Sequence, residues 1–274
     1  MKTALLAITL LSIANAQTTI DEAELQMKLD QAATRLGKSN ACPSADELER
    51  GLSFSQCKVS APSKATRETT LAELYNQRLN SVLWIGTTEP CDDCPMWHFS
   101  GVASAFVVGD NGECATCHHV FEDMKRGAFL LAAASDGKVY PIKEVLAASR
   151  KDDIAIFKID AVGLKPVPLA LNIAAGENIA ALTHPHGRPF FLSSGIVSRR
   201  AIMEDRRSKR EMLQVTSPFA IGSSGGLIMD MKGNAVGMAA STISVYAEPQ
   251  RRREPQMTYY NCVPAEAILK LMGR

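Results

Sequence analysis

Gly222-Ser223-Ser224-Gly225-Gly226 lies between two short apolar runs, 218–221 and 227–229. Glycines around a serine often mark only a tight turn. Two upstream stretches change its weight: Thr116-Cys117-His118-His119-Val120 and Asp152-Asp153-Ile154-Ala155-Ile156. Together they supply an imidazole, a carboxylate and a hydroxyl, in the chain order His, Asp, Ser.

Working outward, residues 81–262 read as many short strands. The runs 81–87, 102–108, 128–134 and 154–159 are rich in small, β-branched and aromatic residues. Gly, Asn and Asp punctuate them, as at 109–112 and 136–137. A second set follows Pro166: 179–182, 195–198, 212–215, 226–229, 235–240 and 257–262. This density of short strands predicts an all-β sandwich or barrel architecture. Residues 160–177 read as the linker between the two sets. Residues 264–273 read as a closing helix with Pro264 near its first turn.

Residues 17–80 differ from the rest. Leu25, Leu29, Ala32 and Ala33 fall at helical spacing among charges, and 71–79 repeats the pattern. These residues read as a helical extension packed on the strand-rich part. A removable pro-segment or a partner-binding arm is the alternative. The first residues combine Lys2, an apolar run over 4–13 and Ala14-Asn15-Ala16, the pattern of a cleavable export signal over 1–16. The run is too short to span a bilayer. The sequence therefore predicts an exported chain, periplasmic or secreted, that leaves the membrane after cleavage. A formal net charge of +1 over 274 residues gives no global field for nucleic acid. The basic stretches 199–210 and 250–253 read as solvated surface.

The order of motifs resembles the HtrA/Deg type of trypsin-like serine protease domain. Ala103-Ser104-Ala105-Phe106-Val107-Val108 resembles that family's Ser-Gly-Phe-Val-Val strand, and Thr116 to Val120 its Thr-Asn-Ala-His-Val. Residues 153–159 resemble Asp-Leu-Ala-Val-Leu-Lys-Ile. His184-Pro185-His186-Gly187 and residues 194–198 resemble Asn-Pro-Phe-Gly and Ser-Gly-Ile-Val-Ser. Residues 222–226 resemble Gly-Asn-Ser-Gly-Gly. The resemblance implies two six-stranded antiparallel barrels, about 81–160 and 177–262, within a domain spanning 81–274.

It also implies roles. A serine hydroxyl is a weak nucleophile until a hydrogen-bonded imidazole takes its proton. His119 would be that base, Asp153 would orient it, and Ser224 would attack a peptide carbonyl. The amides of Gly222 and Ser224 would stabilise the oxyanion. Rivals stand beside each: His118, Asp152 and Ser223. The family spacing selects His119, Asp153 and Ser224. The pocket wall is expected at Met238, Ala239, Ala240 and Ser241, with its floor at Ser217 and Pro218. Nothing charged lies there, which points to cleavage after a small or medium apolar residue. Polypeptides are the implied substrates, with no cofactor and no metal. Ser223 replaces the aspartate by which digestive trypsins capture a freed N-terminus, so that activation route is not expected. Thr216 stands where HtrA proteins often carry Asp. The resemblance stops at the second barrel, implying a domain without PDZ modules.

Two readings compete. A non-catalytic, protease-like binding protein needs no triad. Cys114-Ala115-Thr116-Cys117-His118 also matches the c-type haem attachment pattern C-x-x-C-H. The seven cysteines include Cys91-x₂-Cys94 and Cys114-x₂-Cys117, a spacing that would also suit zinc. In an exported chain disulfides are favoured, with Cys42–Cys57 as a local bridge and Cys91, Cys94, Cys114 and Cys117 as further candidates. The odd count, completed by Cys262, leaves at least one thiol unpaired within the chain.

Overall fold

In the segment Ile154-Ala155-Ile156-Phe157-Lys158-Ile159, alternate side chains face opposite sides, as strand geometry requires. Ala155, Phe157 and Ile159 join one apolar cluster, while Ile154 and Ile156 join another. The first cluster fills a barrel. The second lies between that barrel and a neighbour. This alternation recurs through the fold, which a computed structural model describes for residues 19–39, 41–122, 124, 127–204 and 209–274. The expected export signal over 1–16, and part of the basic stretch 199–210, lie outside the described residues.

The first barrel comprises β1 (Val82–Pro90), β2 (Trp97–Val107), β3 (Glu113–Thr116), β4 (Phe129–Ala133), β5 (Val139–Ser149) and β6 (Ile154–Ile159). Its strands close in the order β1-β2-β3-β6-β5-β4, every pairing antiparallel. The second comprises β7 (Asn178–Thr183), β8 (Phe191–Glu204), β9 (Lys209–Val215), β10 (Leu227–Asp230), β11 (Ala235–Glu248) and β12 (Arg253–Pro264). It closes as β10-β11-β12-β9-β8-β7. The architecture is the expected pair of six-stranded barrels. Closure removes the unpaired sheet edges that invite aggregation. The sequence reading missed β5, whose Pro141 and shifted register break the alternation. It also missed β3, a strand of four residues.

Among the described residues, four helices frame the barrels: α1 (Glu22–Ser39), α2 (Ala45–Gly51), α3 (Leu71–Arg78) and α4 (Ala265–Leu271). Both α2 and α3 start with a capping box, Ser44 with Glu47 and Thr70 with Glu73. Each box satisfies two amides that a helix start leaves open. Leu25, Leu29 and Ala33 of α1 are buried against Trp84, Phe99 and Leu131 on the outside of the first barrel. Burying each leucine contributes about 1.5–3 kcal/mol. The extension is thus part of the packed body.

Val59, Leu74, Phe106, Leu182, Met238 and Ile268 are among the side chains that fill the space between the barrels. This shared core holds the facing ends of β2, β3, β10 and β11 in one place, and the candidate site lies there.

Candidate active site

The site starts with two consecutive turns. Ser223 N donates to Ala220 O at 3.0 Å, with Gly222 at φ +91°. Gly226 N donates to Ser223 O at 2.8 Å, with Gly225 at φ +87°. A positive φ at the third position of a turn favours glycine. Space demands it as well: a Cβ on Gly222 would lie 2.6 Å from His184 O, and one on Gly225 2.1 Å from Ser104 O. The amides of Ser223, Gly225 and Gly226 are all engaged by carbonyls. Those of Gly222 and Ser224 meet no acceptor among the described residues. Two neighbouring unengaged amides form a site for an oxyanion.

Ser224 stands at the first barrel. Ser104 N donates to its carbonyl at 2.8 Å, and Gly225 packs on Thr116, three residues before His119. Its hydroxyl donates to Ala240 O at 3.5 Å. Ser223 faces inward instead, 1% exposed, with its hydroxyl donating to Thr183 Oγ1 at 3.1 Å.

His119 sits in a single 3-10 turn, His118–Phe121, directly after β3. Its Nδ1 donates to Asp153 Oδ2 at 2.9 Å, and its backbone amide donates to Asp153 Oδ1 at 3.1 Å. Asp153 is 5% exposed and takes φ +59°, a conformation Asp tolerates better than most residues. Burial pushes its carboxyl up. The hydrogen bonds from His119, with the charges of His119 and Arg210, outweigh that and hold it below the usual carboxylate range. An ionised Asp153 keeps the Nδ1 proton in place, so Nε2 offers a lone pair. His119 also lines a cleft of about 580 Å³ with Thr87, His98, Val102 and Val120. The rivals are occupied: His118 pairs with Glu122 at 3.3 Å, and Asp152 accepts from Ser149 Oγ at 2.8 Å.

Sequence reasoning missed the support beneath the turns. Ser104 Oγ donates to Gly222 O at 3.0 Å while lying 2.9 Å from His184 Nδ1. His184 N donates to the same hydroxyl at 3.1 Å. His184 is fully buried, stacked on Trp84 and edge-on to Phe190. Burial lowers its pKa to about 3. The Gly222 carbonyl can only accept, so the hydroxyl proton goes to it, and the neutral ring then donates to Ser104 Oγ from Nδ1. The 103–108 and 184–187 motifs contain both residues, but nothing in them shows that they meet.

Two expectations require correction. First, all seven cysteines are free. Cys42 packs beside the α1 cluster, whereas Cys57 packs on the core between the barrels, its amide donating to Leu271 O. The Cys42–Cys57 bridge and the other candidate bridges are absent. Second, Cys114 and Cys117 are fully buried in different clusters, one inside the first barrel and one between the barrels. They can neither bind one haem nor complete a zinc site with Cys91 and Cys94. Cys117 lies within 4.8 Å of His119 and Asp153, but burial raises its pKa well above the usual value and keeps it a neutral thiol. Of the expected pocket residues, Met238 is fully buried in the core between the barrels and Ala239 in the core of the second barrel. A wall at these two positions would be backbone rather than side chain. Ser241 and Pro218 are exposed, Ala240 is buried beside Met238 in the core between the barrels, and buried Ser217 meets Ser193 Oγ at 2.8 Å.

Comparisons with known proteins agree with this arrangement. Residues 103–238 match the family model described as a trypsin-like peptidase domain. The chain is 27% identical over 200 residues to "Protease Do-like 1, chloroplastic" of Arabidopsis thaliana, covering 68% of this chain and 44% of that protein. It is 27% identical over 139 residues to a "Probable periplasmic serine endoprotease DegP-like" of Halomonas elongata, covering 50% and 28%. With "Serine protease HTRA1" of Xenopus laevis it shares 31% over 151 residues, covering 53% and 32%. The chain thus spans less than half the length of these relatives. In fold it is similar to the "HtrA-type protease AlgW with decapeptide", with a TM-score of 0.63 at 18% identity over 75% of this chain and 67% of that one. Double barrel and site together define the trypsin-like class. Within that class, residues 103–238 match the trypsin-like peptidase domain, and the chain is similar to proteases of the HtrA/Deg type.

Proposed function

We propose that this chain is a serine endopeptidase that cleaves polypeptides through an acyl-enzyme. The observation that carries the reading is the hydrogen bond from His119 to buried Asp153, together with a double turn, bonded to the first barrel through Ser104 N, in which the Gly222 and Ser224 amides meet no acceptor among the described residues. In the reaction the Ser224 hydroxyl rotates from Ala240 O towards His119 Nε2. His119 takes its proton as Oγ attacks the peptide carbonyl, and later gives it to the leaving amine. Asp153 stabilises the imidazolium. The two amides hold the negative charge on the carbonyl oxygen.

The preferred residue before the cut is small or medium and apolar, because the expected edge of the pocket, Ala240, Ser241 and Pro218, carries no charge. The 1–16 pattern supports export to a periplasmic or secreted location.

A fluorophosphonate probe tests the reading. Wild type should label on Ser224 and the Ser224→Ala variant should not. A folded wild type that resists labelling and cleaves nothing in a peptide library would favour the binding-protein reading instead.

A further inference from the structure

Outside the site just described, Cys91, Cys94 and His98 converge at the far end of the β1–β2 hairpin. One atom from each, two Sγ and a ring nitrogen, lie within 4.8 Å of one another. We propose that these three side chains bind a zinc ion, with solvent as the fourth ligand, and that the ion clasps α1 to the first barrel.

The geometry suits the ion. Tetrahedral zinc with Zn–S about 2.3 Å and Zn–N about 2.0 Å places sulfur and nitrogen about 3.5 Å apart. Cys94 Sγ stands 3.4 Å from His98 Nε2. Two thiolates with one imidazole form a donor set that zinc takes readily. The hairpin presents all three from one side: Cys91 N donates to Met96 O at 2.9 Å, folding the six-residue loop over so that both cysteines turn back towards His98. His98 pairs with Glu89 across the ladder.

The second observation lies behind the histidine. Asp30, 68 residues away on α1, stands 3.0 Å from His98 Nδ1. A carboxylate there holds the proton on Nδ1 and leaves the Nε2 lone pair directed at the two sulfurs, the arrangement that orients metal-binding histidines. Asp30 is itself held in place. Its Oδ1 accepts from Phe99 N at 2.8 Å and from Gln26 Nε2 at 2.9 Å. Gln26, Asp30 and Thr34, spaced four residues apart on α1, all bond to residues 97–99 of the hairpin strand. A bound ion would lock this seam from the outside. It would also fix His98, which lines the same cleft as His119.

The test reads metal rather than proteolysis, so it stands apart from the catalytic reading. Protein purified under reducing conditions without chelator should contain about one equivalent of zinc by plasma mass spectrometry. Cobalt(II) substitution should give thiolate charge-transfer absorption. Cys94→Ser and His98→Ala should each abolish that band while keeping the wild-type far-ultraviolet circular dichroism, and Cys57→Ser should leave it unchanged. Asp30→Asn should weaken cobalt affinity by roughly 10–100-fold. The proposal fails if folded, reduced wild type gives no thiolate–cobalt band. It fails equally if mass spectrometry finds a Cys91–Cys94 disulfide in the metal-treated protein.

Discussion

Ser104 of the first barrel donates its hydroxyl to the carbonyl of Gly222 in the second, across 3.0 Å. One hydrogen bond thereby joins the strand that carries the family motif to the turn whose two unengaged amides form the proposed oxyanion site. The donor is set by His184, whose two N–H groups fill both lone pairs of the hydroxyl.

Removing that donor should loosen the turn without touching the triad. Losing a buried hydrogen bond costs about 1–3 kcal/mol. Ser104→Ala is expected to lower kcat on the order of tenfold with little change in KM. Steady-state kinetics on a peptide substrate checks it. An unchanged kcat would mean the turn holds without Ser104.

Gly222→Ala should be far more severe. Its Cβ would strike His184 O, and φ +91° is unfavourable for alanine. The turn would shift and misplace one of two oxyanion donors. Loss of one such donor lowers kcat by about 10²–10³. The same kinetic assay, with circular dichroism to confirm folding, reads the result.

Asp153→Asn should preserve the fold and remove the reaction. An amide can donate to Nδ1, which turns the imidazole into the wrong tautomer for accepting a proton from Ser224. A decrease of about 10⁴ in kcat is expected. The measurement is kcat at pH 7, where the wild-type carboxylate, held below its usual range, is fully ionised.

His184 predicts a pH dependence of stability. In the unfolded chain its imidazole titrates near 6.5; in the fold its pKa is lowered to about 3. Above pH 6.5 both states are neutral there. As pH falls from about 6.5 towards 3, the unfolded chain takes up a proton that the folded one does not. Stability should then decline by up to about 1.4 kcal/mol per pH unit from this group. Urea midpoints between pH 7.5 and 4 should show the decline, and His184→Gln should flatten it. An equally steep decline in the variant would assign the effect elsewhere.

Local sequence carried much of this protein. The alternation in Ile154 to Ile159 and the small-residue turns at 222–226 encode strand and turn directly, because side-chain direction and positive φ are properties of a few consecutive residues. The cysteines were different. Cys91-x₂-Cys94 and Cys114-x₂-Cys117 look alike in sequence, yet one pair lies at a hairpin end beside His98 and the other is divided between two cores. Likewise, β11 packs on two cores at once, with Met238 and Ala240 turned to the space between the barrels and Ala239 to the inside of the second.

The sequence by itself determined most of the strands in their order and, through its family resemblance, the two barrels and the residue types proposed for the catalytic groove. Tertiary structure alone decided which distant groups meet: Asp30 with His98, and Ser104 and His184 with Gly222. Those pairings depend on how the barrels close and how α1 docks, and such long-range geometry leaves no periodic trace in the residues that take part.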